Sequence, residues 1–525
     1  MPSPLQPTQS KRLVKFPFPF KGLNSTAPSL VLKEGYSSLA RNVRFAQGEI
    51  SSRPNTASLS AFGITPINGA FTSYRADNTI LSLASQYNTM SVLDNSSGLW
   101  TANVFGSGQF GLDEDFWSFT DVFGEIYASN GVGMTVWTAD GGVFSDLGSA
   151  ASPFPYSGRY LESFAGRLVM ANTREGGIQH EDRVRWSVAQ SPRDFTSDSS
   201  AGANDIVDLA GPITGSRVLA GRLFLHKRTG ITAMIETGLR TPSFSFQTVV
   251  DGIGTIAGRT LLNIHGAQFF LGSDDVYVYD GASPPQPIGE SIRKDLFANI
   301  NWAKVGNCFA VDYSDFHEYH LFIPEGSAQW PLVKYVYNYF DHTWTKHDVS
   351  TGASSAALVQ TAPAGDTWDG GDDGGGDTWD AGADIPWDTP SVVAKLVPFW
   401  GCSDGTLRRI DETSVTIGAT ATLTTGDSDL DNPGVLKTVG RVRCTLRQRN
   451  TATLSLSLSA DGGATFTTPT SAALPAPTGD ENSLKTLFFP VGPLTGEFFR
   501  LKLTSPDRFS LVSWELEVVD RSEVK

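Results

Sequence analysis

Residues 165–169 read AGRLV and residues 220–224 read AGRLF, two near-copies of one short pattern. In each, a small residue and a glycine precede a run that begins Arg-Leu. That is the signature of a two-residue turn feeding a strand, because such turns need positive φ and glycine supplies it at no steric cost. Working outward, Phe123-Gly124-Glu125-Ile126-Tyr127 and His265-Gly266-Ala267-Gln268-Phe269-Phe270 have the same form. Asp77-Asn78-Thr79-Ile80-Leu81 has it with Asn in place of Gly, and Asp315-Phe316-His317-Glu318-Tyr319 and Asp404-Gly405-Thr406-Leu407 read as further members. The turns fall near 78, 124, 166, 221, 266 and 315. Steps of roughly 40–55 residues match one four-stranded propeller blade. The expected fold is therefore all-β, a β-propeller of six or seven blades over residues 20–415, preceded by an N-terminal arm at 1–19. A stack of β-sandwich domains is the alternative, since any β-rich chain carries hairpins.

The step from 315 to 405 is too long for one blade, and the excess has its own composition. Residues 361–394 read TAPAGDTWDGGDDGGGDTWDAGADIPWDTPSVVA, with eight aspartates, seven glycines and no lysine or arginine. Subtracting this stretch restores the spacing, so it reads as an insertion within a blade. Its spacing satisfies neither D-x-D-x-D-G nor G-G-x-G-x-D, which speaks against a dedicated calcium loop. Like charges and glycines oppose collapse, as in a disordered spacer. Trp368, Trp379 and Trp387 do not suit an inert spacer, because exposed indole is costly and seeks a partner surface.

After residue 415 the texture changes. Thr416–Thr425 and Thr451–Ser459 alternate Thr or Ser with apolar residues, as half-buried antiparallel strands do. Residues 416–525 are expected to form a separate C-terminal β-sandwich. Bulk numbers agree with an all-β chain: 525 residues, 40% hydrophobic and 18% charged, against ~25% charged in average proteins. The net charge is −15, and the eight aspartates of the insert supply more than half of it. An acidic surface is a poor grip for nucleic acid but a good wall for it to slide along. Cys308, Cys402 and Cys444 form neither a CxxC nor a disulfide framework. No segment approaches the ~20 apolar residues of a membrane span.

Candidate chemistry is sparse. Ser459-Ala460-Asp461-Gly462-Gly463-Ala464-Thr465-Phe466 fits S-x-D-x-G-x-x-F, the Asp-box hairpin of sialidases and related propellers, which is a folding device. His317 and His320 sit three apart on an expected strand and so face opposite sides, which argues against a shared metal. Gly252-Ile253-Gly254 lacks the strand–helix setting of a dinucleotide site. No G-x-S-x-G and no Walker A sequence is present. Neither catalytic residue, cofactor nor metal is expected.

Several stretches resemble the tail-nozzle, or packaged-DNA stabilisation, proteins of short-tailed bacteriophages. They are Phe20-Lys21-Gly22-Leu23-Asn24, Ala40-Arg41-Asn42-Val43-Arg44 and Gly48-Glu49-Ile50-Ser51-Ser52-Arg53-Pro54. Gly166-Arg167-Leu168 with Arg185-Trp186-Ser187 and Pro192-Arg193-Asp194-Phe195 follows, then Phe269 through Tyr277 with Tyr279-Asp280-Gly281. Glu318-Tyr319, Phe322-Ile323-Pro324, Tyr337-Asn338-Tyr339 and Trp344-Thr345 complete the set. The resemblance spans roughly residues 15–350, together with the Thr-Trp-Asp repeats of the insert. It implies a structural virion protein, made in the host cytoplasm and built into the tail as a homohexameric ring. Its partners would be the portal-adaptor ring, tail fibre or spike proteins, and genomic DNA passing without sequence-specific binding. On that reading the insert is a gate facing the bore, carried by Asp366, Trp368, Asp369, Asp372, Asp373, Asp377, Trp379, Asp380, Asp384, Trp387 and Asp388. Two other classes compete. One is a glycan-binding or glycan-cleaving propeller of the tail; the other is a cellular propeller scaffold.

Overall fold

A computed structural model of the chain describes residues 11–46, 48–75, 80–87, 89–94, 99–104, 112–137, 144–147, 154–196, 199–361, 395–412, 414, 416–477 and 483–520. Seven four-stranded antiparallel blades are built from it, six as separate sheets and blade 6 as part of a larger one. Blade 1 comprises Gly69–Tyr74, Ile80–Ser85, Thr89–Asp94 and Leu99–Val104. Blade 2 comprises Ser118–Val122, Glu125–Ser129, Met134–Trp137 and Phe144–Asp146. Blade 3 runs from Tyr156–Phe164 to Gly202–Asp205, blade 4 from Ile213–Leu219 to Phe244–Asp251, and blade 5 from Leu262–Ile264 to Gln286–Pro287. Blade 6 is Phe309–Tyr313, Glu318–Ile323, Val333–Asn338 and Thr343–Asp348.

Blade 7 closes the ring. Its first three strands are Ala353–Thr361, Lys395–Cys402 and Thr406–Ile410, and its fourth is Thr56–Ala61 from near the other end of the chain. Closure by a distant strand leaves the propeller without a free seam, so separating its first and last blades means breaking a hydrogen-bonded ladder.

The repeated pattern behaves as its chemistry requires. Phe123-Gly124, Ala165-Gly166, Ala220-Gly221 and His265-Gly266 each join the first and second strands of blades 2 to 5 with both residues at positive φ. That is the twist-matched two-residue hairpin. Blade 6 makes the same connection through a 3-10 turn at Ser314–Phe316, with His317 left-handed at φ 57°. Asp404-Gly405 departs from the series, because it joins the second and third strands of blade 7 and so lies at the opposite end of the blade.

The β-sandwich is not made from residues 416–525 alone. One sheet orders Val43–Ala46, Glu49–Ser52, Ser510–Asp520, Lys437–Arg447 and Leu484–Gly496, and Arg12–Lys15 pairs along Ser510–Asp520. The other contains Ser37–Arg41, Thr416–Thr425, Arg500–Asp507, Ala452–Ser459 and Thr470–Leu474. Arg12–Lys15, Ser37–Arg41, Val43–Ala46 and Glu49–Ser52 thus belong to the sandwich, which corrects the arm over its described residues 11–19 and moves the propeller boundary from 20 to beyond residue 52. The physical reason is that long antiparallel strands from the chain's end left open edges, and the N-terminal strands cover them. Phe16 and Phe18 pack edge-on against Trp514 at 6.1 and 5.8 Å.

The two lobes share a sheet and a core. Arg41 pairs in parallel with Lys346 of blade 6, so one nine-stranded sheet runs from blade 6 into the sandwich. One apolar cluster holds Phe269, Tyr319, Tyr335 and Trp344 of blades 5 and 6 together with Val439, Leu456, Leu503 and Trp514 of the sandwich.

Candidate functional site

The first strand of every blade lines a central channel, whose cavity measures about 320 Å³. Its wall mixes apolar surface, such as Phe71, Phe116 and Trp117, with polar side chains that are largely paired. Arg217 Nη1 donates to Glu162 Oε1 at 3.2 Å. Burial pushes the Glu162 carboxyl up to about 7, with Arg217 opposing. The Arg259 guanidinium lies over the Phe116 ring at 3.3 Å and donates to the carbonyls of Ser354 and Asn307 at 2.6 and 3.1 Å. Lys304 and Gln329 both hold Glu114, at 2.5 and 2.9 Å. A cavity of this size suits a small polar ligand. It cannot pass a DNA duplex, whose major groove alone is ~12 Å wide.

The acidic insert springs from a defined place. Thr361 pairs with Lys395, so the first-to-second connection of blade 7 is the insert itself, where blades 2 to 5 spend two residues. That explains the long step between turns. The insert's base lies at the same end of the propeller as the Gly124, Gly166, Gly221 and Gly266 turns. The eleven expected gate residues, from Asp366 to Asp388, all lie outside the described residues.

The remaining sequence candidates have placements of their own. The Asp-box segment links Ala452–Ser459 to Thr470–Leu474 in the sandwich. Asp461 accepts from the Thr465 amide at 2.9 and 3.0 Å and from the Ser459 hydroxyl at 2.7 Å, while Gly462 and Gly463 take positive φ. Those bonds hold its carboxyl well below the usual range, Thr465 contributing most. His317 and His320 do not meet: His317 packs on Tyr339 in a turn, whereas His320 is fully buried in the next strand. Among the described residues no cluster of His, Cys, Asp or Glu could hold a metal. The three cysteines are free and buried.

What sequence reading missed is a buried charge network where blade 6 meets the sandwich. Glu318 is 1% exposed. Its Oε1 accepts from Arg44 Nε at 3.0 Å and Arg53 Nη2 at 2.7 Å, its Oε2 from Arg53 Nη1 at 2.7 Å and His320 Nε2 at 2.9 Å. Burial works against its charge, but Arg44 and Arg53 hold the carboxyl well below its usual value. Arg44 also reaches Glu412 at 2.9 Å. Alongside, Asp348 is clasped by Arg41 and accepts from Asn42 Nδ2 at 2.8 Å. Behind them sit Lys334, His347 and Trp400, all buried. The available signal was the charged residues inside apolar strands, EYHLFI at 318–323 and VKYVYN at 333–338. A charge in such a strand must find a partner from elsewhere.

The strand order defines a seven-bladed β-propeller tied to a β-sandwich. No protein-family model and no curated protein matches the chain. Among solved structures it is similar to YCF48 from Cyanidioschyzon merolae, at 9% identity and a TM-score of 0.36, over 69% of this chain and 100% of that one. It is also similar to U3-55K, at 9% identity and a TM-score of 0.34, over 58% of this chain and 88% of the other.

Proposed function

We propose that this chain is a structural protein of a short-tailed bacteriophage tail, one subunit of a homohexameric nozzle that retains the packaged genome and conducts DNA into the host. It performs no reaction. The observation that supports this reading is where the resembling stretches meet. Arg44 and Arg53 come from the N-terminal stretches and Glu318 from a distant one, and both arginines close on that carboxylate in the buried network, with Arg41 and Asn42 binding Asp348 beside it.

The central channel of each subunit is too small for a duplex, so DNA would run through the bore of the ring. There the insert, rooted beside the turns at one end of the propeller, would present its aspartates to the phosphates and its tryptophans to neighbouring copies. Acidic walls release no counterions from DNA and so do not hold it. Negative-stain imaging of the purified chain at high concentration, alone and with the portal-adaptor and fibre proteins of its own virus, tests the proposal. Six-fold rings with a central hole are expected. A persistent monomer under both conditions overturns it.

One feature favours a second reading, a glycan-binding or glycan-cleaving tail propeller. The channel sets Glu162, whose carboxyl sits near neutrality, among Phe116, Trp117 and Tyr160. A glycan array combined with a reducing-sugar assay separates the two, since turnover would exclude a purely structural role.

A further inference from the structure

The central channel keeps polar atoms that its own wall leaves unspent. The first strands run toward the insert-side turns, and the cavity takes in Glu114, Phe116 and Gly306, which precede those strands. It therefore lies toward the opposite end of the propeller, where the Arg159 side chain is 56% exposed. A first strand is flanked by its own blade and packed between its neighbours, so an atom open to water in its middle opens into the channel.

Three such side chains have capacity to spare. The Tyr160 hydroxyl makes no hydrogen bond among the described residues and stays open to water, whereas the Ser216 hydroxyl of the same wall is closed off. Arg217 Nε donates to the Leu261 carbonyl at 3.3 Å and Nη1 to Glu162 Oε1 at 3.2 Å, which leaves Nη2 open and without a partner. Arg159 makes no hydrogen bond among the described residues, and the carboxylate nearest to it is Asp115 at 4.0 Å. One segment draws these groups together. Tyr160 rests its ring edge on Gly258, where a Cβ would lie 2.6 Å from the ring, and Arg217 is tied to the same segment at Leu261. Arg159 and Arg259 both act on the Tyr160 phenol, opposing the rise that burial imposes.

The acidic groups of the channel are already taken. Glu162 accepts from Arg217, Glu114 from Lys304 and Gln329, and Asp115 from the Leu112 amide. Asp121 and Asp312 accept from Ser73 and Tyr339 and stand near the insert-side ends of their strands, outside the cavity. Arg259, the remaining cation of the wall, donates to main-chain carbonyls. Neutral groups are taken as well: Thr214 donates to the His226 and Thr255 carbonyls, Asn172 to Ile213 and Ser355 to Ile67. What is left is a set of donors, two of them cationic, beside the partly exposed rings of Phe71 and Phe116. Such a surface fits a carboxylate carried on a flat apolar ring, and it offers few partners to the hydroxyls of a sugar.

We propose that the channel binds a small aromatic carboxylate of benzoate type, its oxygens on Arg159, Arg217 and the Tyr160 hydroxyl and its ring against Phe71 and Phe116. A cavity of about 320 Å³ stands at the lower end of the ~300–1,000 Å³ found for small-molecule sites. The ligand enters from the end opposite the insert. The site does not depend on the tail assignment, and it holds in a ring or in a monomer.

Calorimetric titration of the full chain with sodium benzoate at constant ionic strength tests it. Benzyl alcohol keeps the ring without the charge, and sodium glucuronate keeps the charge on a sugar ring. Saturable one-to-one binding of benzoate is expected, with both comparison compounds at least about tenfold weaker. Arg159→Met and Tyr160→Phe should each weaken benzoate at least about fivefold, while Lys485→Met, on the exposed sandwich surface, should leave it unchanged. A crystal soaked in para-bromobenzoate reads the unsubstituted chain directly, with an anomalous bromine peak expected in the channel beside Phe71 and Phe116. Absence of saturable heat, equal binding of benzyl alcohol, unchanged binding by either channel variant, or a channel filled with ordered water alone would each overturn the proposal. Tighter binding of glucuronate would overturn it too and would favour the glycan reading.

Discussion

Blade 4 and the blade 6–sandwich junction are both antiparallel β-structure, and they are assembled in opposite ways. Blade 4 takes its four strands in sequence order from residues 213–251, turns tightly at Ala220-Gly221, and buries Leu223, Leu225 and Met234. The junction collects Arg44, Arg53, Glu318, Lys334 and Glu412 from across the chain, with 274 residues separating Arg44 from Glu318. One region is held by burial and local turns, while the other adds to its shared apolar cluster a set of charges that stay inside only because they satisfy each other. Apolar burial degrades gradually when trimmed, whereas a paired charge network fails when one member goes, because the others remain buried and unpaired.

The largest test of that contrast is Glu318→Ala. It strands Arg44 and Arg53 without a carboxylate between them, and a loss of about 3–5 kcal/mol is expected from urea unfolding. A matched cut in blade 4, Leu223→Ala, should cost about 2–5 kcal/mol through the cavity it leaves. The two differ in rescue. Glu318→Ala combined with Arg44→Met and Arg53→Met should recover part of the loss, because it removes the two stranded guanidinium charges while leaving only His320 and the partly exposed Glu412 short of a partner. No recovery would mean that the network contributes through shape rather than charge.

Acid should find the junction next. His320 and His347 are buried and uncharged there, and His226 is similarly buried in blade 4, bonded to Gln268 at 2.9 Å. Burial lowers His320 to about 3 and His226 to about 4, and His347 well below its usual value. The unfolded chain takes up these protons near pH 6.5 and the folded chain does not, so their contribution is complete above that pH and drains away below it. At pH 5 each costs on the order of 2 kcal/mol. Urea midpoints at pH 7.5 and 5.0 should fall accordingly. Glu162, raised to about 7 by burial, works in the opposite direction by taking up its proton in this window, so His226→Gln should lessen the net drop by on the order of 2 kcal/mol and leave the junction histidines to carry the rest.

Legibility in the sequence divides along the same line. Turns at Gly124, Gly166, Gly221 and Gly266 could be read directly, since positive φ is a local demand with a local solution. Blade 7 was harder, because its first turn is replaced by the insert and its fourth strand is Thr56–Ala61. The junction was hidden for a further reason. Nothing adjacent to Arg44 or Lys334 says which distant strand will face it, so residues 12–52 read as an arm and an opening blade although their strands complete the sandwich. The gate assigned to Asp366–Asp388 rests on composition, and what is fixed around it is only its base, the Thr361–Lys395 pair.

That base yields a smaller prediction. Replacing residues 362–394 by Asn-Gly would give blade 7 the connection that blades 2 to 5 already have. Shortening the loop reduces the entropy lost on closing it, so stability should be unchanged or higher by no more than about 2 kcal/mol, read from thermal unfolding. A large destabilisation would show that the insert packs on the body and belongs to its fold. In the assembled particle the same excision should impair genome retention if the gate proposal holds.

The smallest single effect sits in the blades, and its arithmetic is the sharpest part of the contrast. Gly221 has φ +74° with open space where a Cβ would lie, so Gly221→Ala costs only backbone strain, about 1 kcal/mol. Gly124, at φ +83°, and Gly266, at φ +76°, are equally open. Each turn belongs to a different blade and shares no partner with the others, so the triple Ala variant should lose the sum of the three single losses. In the junction, Arg44→Ala and Arg53→Ala both abandon Glu318, and the second change should cost much less than it does alone. Equilibrium unfolding of the two series measures both. Additive turns beside a non-additive junction would mean that the propeller tolerates local change blade by blade, while the connection to the sandwich is kept or lost as one unit.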